Sequence, residues 1–290
     1  MGKVSAYLRL TLLLALLSGI LMAIGFYIAG TSGLLFALMI SLLINFFSYY
    51  YSDKIILAMY NAKEFEDAEI NYIVEELARK AGIPKPKVYI VDSMQPNAFA
   101  TGRDPEHSAV CVTSGLLQLL DVDEIEGVLS HEISHIKNRD ILVSTIAASL
   151  ASAISFLADM LFWSTVFEGN DRDAEVGILG YLVGIILAPL AATLIQLAIS
   201  RSREFLADET GAKICGKPLA LASALKKISE YAKSIPMNKG SPSTAHMWIV
   251  NPFSSGFLSK LFSTHPPVEE RIERLEKLAK ENGTDLKEIN

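Results

Sequence analysis

Apolar residues run almost unbroken from Leu8 to Ile28, Leu34 to Tyr50, Ile141 to Trp163 and Gly177 to Ile199; Arg9 and Asp159 are the charges inside these runs. Each run is on the order of 20 residues, and a helix of that length spans a bilayer's hydrocarbon core. The link between the first two, AGTSG, is uncharged and long enough only for a turn, so these two are expected to form a hairpin. The first run is too long, and too closely followed by the second, for a cleaved leader, and reads as an uncleaved anchor. In the third run Ser144, Ser149, Ser152, Ser155 and Asp159 interrupt the apolar pattern and make it the weaker span; Asp159, and Gln196 in the fourth, are expected to face another helix. Gly180, Gly184 and Ala188 recur every fourth residue, a ridge suited to close helix packing, and Pro189 predicts a kink. The expectation is four spans.

The segments between the runs follow other periods. Ile70, Ile73, Val74, Leu77, Ala78 and Ala81 recur at helical spacing, with Gly82 placed to cap that helix. KVYIVDS, NAFATG and SAVCVTS read as three short strands separated by turn residues. DVDEIEGVLSHEISHIKNRD reads as a helix, with Asp121 and Glu124 spaced as a capping box. After the fourth run, SREFLADETGAKI and PLALASALKKISEYAK are helical by pattern, and a last helix starts at a proline with Ile272, Leu275, Leu278 and Ala279 on one face. The fold class is an α+β membrane protein, mostly helical, with a small sheet. Its expected divisions are an N-terminal transmembrane hairpin (1–52), a first part of the soluble domain (53–140), a second transmembrane hairpin (141–200) and a second part of the soluble domain (201–290).

Charge gives this arrangement a direction. Lys3, Arg9, Lys54, Lys63, Lys137, Arg139, Arg201 and Arg203 fall on one side of a four-span chain, whereas the other side has AGTSG and the acidic EGNDRDAE. The first side is expected in the cytoplasm, and Tyr49, Tyr50 and Tyr51 suit the interface. With a net charge of −6 and no long basic run, nucleic acid is not an expected partner. Two cysteines, Cys111 and Cys215, form no disulfide framework.

The candidate chemistry lies in HEISH. His131 and His135 are four residues apart on a helix and can present two imidazoles to one metal ion. Glu132 sits beside that face, where its carboxylate can act as a general base without ligating the metal. A third ligand is needed, and Glu204 in SRSREFLADET is a candidate; by spacing alone it is equally a surface acid paired with Arg201 or Lys213. Asp208, four residues on, shares its face and can accept a hydrogen bond from a ligand imidazole. Both ligand segments lie within a few residues of apolar runs, so both are expected to continue directly out of membrane helices.

HExxH followed downstream by ExxxD is similar to the gluzincin metallopeptidases. With two N-terminal apolar runs, a second hairpin between the ligand motifs, PNAFATG upstream and STHPPVEERI downstream, nearly the whole chain resembles the HtpX family of membrane-bound zinc endopeptidases, relatives of the CAAX prenyl proteases. The resemblance implies one Zn2+ per chain held by His131, His135 and Glu204, with Glu132 as base and Asp208 supporting a ligand. It implies that Asn97 and Ala98 lie on an edge strand that holds an extended peptide, that His265 approaches the metal to donate to the oxyanion, and that Arg271 orients His265 or a carboxylate. The implied protein is a multi-pass endopeptidase of the cell membrane with a cytoplasmic catalytic domain, acting on misfolded or membrane proteins in quality control and the stress response. A CAAX-type prenyl-protein protease and a catalytically silent zinc-binding scaffold are the alternatives. His107 reads as a solvated turn residue, and neither His246 nor the oligomeric state is assigned by the sequence.

Overall fold

The computed structural model describes residues 3–147, 201–234, 249 and 266–282. Most of the third apolar run, the fourth run, His246 and His265 therefore lie outside the described residues.

The N-terminal helix α1 (Lys3–Tyr50) is two helices joined at a break. Ala29 leaves helical geometry and Gly30 takes φ 58°, a conformation costly for residues with a Cβ. The chain then folds back: Asn45 Nδ2 donates to Ser18 Oγ at 3.0 Å across the two arms. The hairpin expected from the AGTSG link is present. Among the described residues one helix, Ala29–Tyr50, is long and apolar enough to cross a membrane, with Leu14–Tyr27 a shorter apolar helix beside it.

A short helix α2 (Ser52–Met59) leads to strand β1 (Lys63–Glu64) and helix α3 (Ala68–Ala81). Asp67 caps α3 by accepting from Ile70 N at 2.9 Å. Its buried face is the six residues that the periodicity selects, and it closes at Gly82. Strands β2 (Lys87–Val91), β3 (Ala98–Asp104) and β4 (His107–Thr113) join β1 in a mixed sheet of order β1-β2-β4-β3. The sequence marks the last three strands; β1, two residues long, is below what a period-2 pattern can reveal.

Helix α4 (Ser114–Leu119) precedes α5 (Val122–Lys137), which carries HEISH. The Asp121–Glu124 capping box forms in both directions. Apolar residues of α3, the sheet and α5, with Leu221, Leu225 and Ile228 from α7 (Pro218–Ser234) and Leu275 from α8 (Val268–Glu281), make one core. Helix α6 (Arg201–Cys215) packs directly on α5. A Cβ on Gly211 would come within 2.9 Å of His131 N, so only a glycine there lets α6 lie this close to the HEISH helix.

One expectation is corrected. The HEISH helix does not run straight into the third apolar run. It stops at Lys137, Arg139 takes φ 61°, and a new helical segment spans 140–147. The break lies within a few residues of His135, and it needs a conformation that arginine rarely adopts.

Candidate metal centre

The buried middle of α5 presents His131 and His135 on one face, with their Nε2 atoms 3.1 Å apart. Glu204, from the first turn of α6, brings Oε2 to 3.8 Å from His131 Nε2 and Oε1 to 3.7 Å from His135 Nε2. One ligand atom from each of the three residues fits within 4.8 Å of the others.

The outer ring nitrogens settle what the inner ones can do. His131 Nδ1 lies 2.9 Å from Asp208 Oδ1, and His135 Nδ1 lies 3.3 Å from Asp140 Oδ2. A carboxylate accepts, so each Nδ1 carries the hydrogen and each Nε2 points a lone pair inward. Burial pushes the pKa of His131 down to about 4, against the opposing pull of Asp208, so this ring is neutral at pH 7. Two lone pairs converging at 3.1 Å repel unless a cation lies between them. Tetrahedral zinc, with bonds of about 2.0–2.1 Å, sets ligand atoms about 3.3 Å apart, close to the separations seen here. Charge agrees: Glu132, Glu204 and Asp208 are buried with a single guanidinium, Arg271, and when all three are ionised the cluster needs a dication to be neutral. The donor set fits zinc.

Asp208 and Glu204 lie four residues apart on the buried face of α6, as the ExxxD spacing suggests. Arg271, fully buried on α8, grips Asp208 with Nε to Oδ2 at 2.8 Å and Nη2 to Oδ1 at 2.7 Å. Burial alone would raise the Asp208 pKa; the Arg271 charge, with hydrogen bonds from Arg271 and His131, outweighs it and holds the group below its ordinary value. Arg271 thus meets a carboxylate, one of the two partners suggested for it; the other, His265, lies outside the described residues. Its Nη1 also donates to the carbonyl of Ile249 at 3.1 Å.

Glu132 is buried beside this set. Burial pushes its pKa up to about 7; His135 pulls the other way, Glu204 adds to the rise, and a hydrogen bond from the Ala100 backbone N–H opposes it. A carboxylate titrating near neutrality is suited to taking and returning a proton.

Ala100 belongs to β3, an edge strand among the described residues. Thr113 N donates to Asn97 O at 3.0 Å, so the backbones of Asn97, Phe99 and Thr101 face β4 and those of Ala98, Ala100 and Gly102 face outward. The Ala100 N–H lies on the side of Glu132, whose pKa it lowers, and the Gly102 N–H goes to Thr145 Oγ1 at 3.2 Å. The N–H and C=O of Ala98 and the C=O of Ala100 point away from β4, in residues that are themselves buried. Asn97 plays a different part: it is fully buried, its Oδ1 accepts from Ile249 N at 3.0 Å, and its Nδ2 has no partner among the described residues. Asn97 and Arg271 thus hold the two backbone groups of Ile249 from opposite sides. His107 pairs with Asp104 at 2.7 Å on the exposed β3–β4 turn. Sequence reasoning missed Asp140 and Ile249. Asp140 carries the one signal available, a carboxylate five residues after a ligand histidine.

The Peptidase family M48 profile matches residues 64–279, a span that holds every described residue of this centre. The chain belongs to that family. Within it, the chain is 57% identical over 284 residues to a protein named Protease HtpX homolog from Pyrococcus furiosus, covering 97% of this chain and 98% of the relative. An equally named protein from Aquifex aeolicus is 54% identical over 277 residues, covering 92% and 91%. The crystal structure of S. mikatae Ste24p resembles the fold with a TM-score of 0.52 at 21% identity, over 94% of this chain and 67% of that one. Family and relatives make the protein a membrane-bound metalloprotease, and neither alternative reading is favoured.

Proposed function

We propose that the protein is a zinc-dependent endopeptidase that cuts extended segments of unfolded or membrane proteins at the cytoplasmic face of the cell membrane. The observation that carries this is the pairing of an ionisable, buried Glu132 with two inward-facing imidazole lone pairs and a carboxylate. A zinc ion bound by His131, His135 and Glu204 supplies a Lewis acid for the peptide carbonyl and acidifies water. Glu132 then takes the water's proton and delivers it to the leaving amine nitrogen. The outward N–H and C=O of Ala98 pair with the substrate backbone as an added strand, which reads backbone and not side chains and so favours broad specificity. Arg271 keeps Asp208, and through it His131, in register. His265 is proposed as the oxyanion donor; it lies outside the described residues.

Membrane attachment rests on the α1 hairpin, and the second hairpin over 141–200 and the cytoplasmic orientation rest on the hydropathy and charge pattern. A silent scaffold has no use for a base at Glu132, and a prenyl-protein protease finds support only in a likeness of fold. The test uses full-length protein in detergent with an unfolded fluorogenic substrate. Zinc-loaded wild type should cleave it, chelator-stripped protein should not, and Glu132→Gln should bind zinc without turnover. Cleavage by the stripped protein would refute zinc dependence. A preference for a farnesylated peptide would restore the prenyl-protease reading.

A further inference from the structure

The two histidines of the centre are supported differently. His131 leans on Asp208, a partner legible in the motif and itself locked by Arg271. His135 is supported from the turn that follows its own helix. Arg139 takes φ 61° and breaks the helix there, and Asp140 meets His135 just past the break, with Nδ1 and Oδ2 3.3 Å apart. The other oxygen of Asp140 accepts from Arg203 Nη1. Arg203 directly precedes the third ligand, Glu204. All these side chains are largely buried; those of Asp140 and Arg203 are 10% and 12% exposed.

We propose that Asp140 and Arg203 are a positioning pair for the metal centre, a latch that fixes the tautomer and angle of His135 and ties its helix to the helix of Glu204. The inference rests on the zinc-site reading above and extends it. One carboxylate serves both tasks. Its Oδ2 keeps the hydrogen on His135 Nδ1, leaving Nε2 free to ligate. Its Oδ1, drawn to the guanidinium, sets where the carboxylate stands. Asp140 follows the HEISH helix and Arg203 lies in the first turn of α6, so two residues 63 positions apart in sequence meet beside the centre. The latch therefore joins the two ligand-bearing segments directly beside His135 and Glu204, and it holds α6 at a second point besides the Gly211 contact.

The latch makes metal retention depend on residues that touch no metal. Full-length protein in detergent, stripped and titrated with zinc against a competing chelator, reads this without activity. Asp140→Ala should weaken zinc binding roughly 10- to 100-fold, the usual effect of removing an outer partner of a ligand histidine. Arg203→Met should weaken it less, because Asp140 is still there to accept from Nδ1. The double variant should be no worse than Asp140→Ala, since both changes break one device. In zinc-free protein the 15N shifts of His135 should move from the Nδ1–H tautomer to a mixture in Asp140→Ala, a change that loss of packing alone would not cause. If Asp140→Ala does not fold, Asp140→Asn and Arg203→Met carry the same comparison. Zinc affinity within twofold of wild type in Asp140→Ala and Arg203→Met, or additive losses in the double variant, would overturn the latch and leave the zinc site standing. Failure of the wild type to bind zinc would overturn both.

Discussion

The catalytic domain and the N-terminal hairpin bury opposite things. The domain hides Val74, Leu77, Val110, Leu129 and Ile133 from solvent, and the charged side chains it buries are ion-paired except Glu132. In the hairpin Leu12, Phe36, Met39 and Leu42 are more than half exposed while Ser41 is fully buried, and the hydrogen bond between its arms joins two polar side chains. In water the second arrangement would forgo on the order of 25 cal/mol for every Å² of apolar surface left uncovered. In hydrocarbon it forgoes nothing, because lipid is as apolar as leucine, and polar groups are the ones that need each other. The contrast shows one chain folded for two solvents. It also says where mutations should be costly: a broken polar contact should matter most in the catalytic domain, and an added charge should matter most on the hairpin's outer face.

The largest effect is expected at Glu132. Glu132→Gln should lower turnover about 10³-fold or more, about 4 kcal/mol of barrier, with zinc still bound. The same change should act oppositely on stability. A buried acid with a folded pKa of about 7 is disfavoured when ionised, so its contribution to stability is greatest below the unfolded value near 4.5 and is lost as pH rises through 7. Glutamine cannot ionise. Metal-free Glu132→Gln should therefore be more stable than metal-free wild type at pH 8, by up to about 3 kcal/mol, in thermal unfolding, and should lose that advantage near pH 4. Equal stability at pH 8 would mean that the carboxylate is not held in a dry site.

Arg271 comes next. Arg271→Met leaves Asp208 charged and buried with no cation, at a cost of about 3–5 kcal/mol in the metal-free protein. Because the Asp208 pKa is depressed in the fold, the pair stabilises above the unfolded carboxylate value near 4 and loses its effect as pH falls further. The difference between wild type and variant should accordingly shrink in acid. Arg271→Lys keeps charge without the two-pronged grip and should fall between. A loss under about 1 kcal/mol in Arg271→Met would break the proposed contrast at its strongest point.

These residues also show what the sequence could and could not disclose. The buried face of α3, the capping box of α5 and the HExxH and ExxxD pairs are local patterns, set by which side chains share a helix face, and they are readable without a structure. Arg271 is another matter. It sits in VEERIERLEKLAKE, whose charge density suggests solvent on most sides, yet it is fully buried against partners 63 and 140 positions away. Asn97 meets Ile249 across 152 positions, and no periodicity encodes such a contact. Asp140 fails for a different reason: apolar residues continue past it, so the pattern extends the helix, whereas the left-handed Arg139 breaks it. Resemblance to a family put Asn97 and Arg271 among the candidates; physical pattern alone assigned neither a role.

On the hairpin, Met39 lies near the middle of Ala29–Tyr50 and is 51% exposed. At an exposed site in water, Met39→Arg would change stability by about 0.5 kcal/mol or less. At mid-bilayer it should cost about 2.5–3.5 kcal/mol of insertion. The fraction of chain resisting alkaline carbonate extraction should fall accordingly, and an unchanged fraction would mean that this face does not meet lipid.

The smallest effect should come from the hairpin's own polar contact, and its smallness is informative. Asn45 Nδ2 donates to Ser18 Oγ at 3.0 Å, the kind of bond expected to hold two helices together where no water competes. Two features reduce its worth. Ser18 Oγ already donates to Leu14 O at 2.8 Å in its own helix, so losing Asn45 does not strand the hydroxyl. Asn45 Oδ1 is buried with no partner among the described residues, so removing the side chain also removes an unsatisfied acceptor. Hydrogen bonds between membrane helices average about 0.6 kcal/mol, because the separated helices find other partners, and Asn45→Ala should cost no more than that. What holds the arms is then close packing, since a Cβ on Gly25 would run into the Gly33 carbonyl oxygen. Gly25→Leu should separate arms that Asn45→Ala leaves together, as read by energy transfer between dyes placed on the two arms of full-length protein in lipid. If Asn45→Ala separated the arms and Gly25→Leu did not, polar pairing would govern the hairpin as it governs the catalytic domain, and the contrast between the two regions would fail.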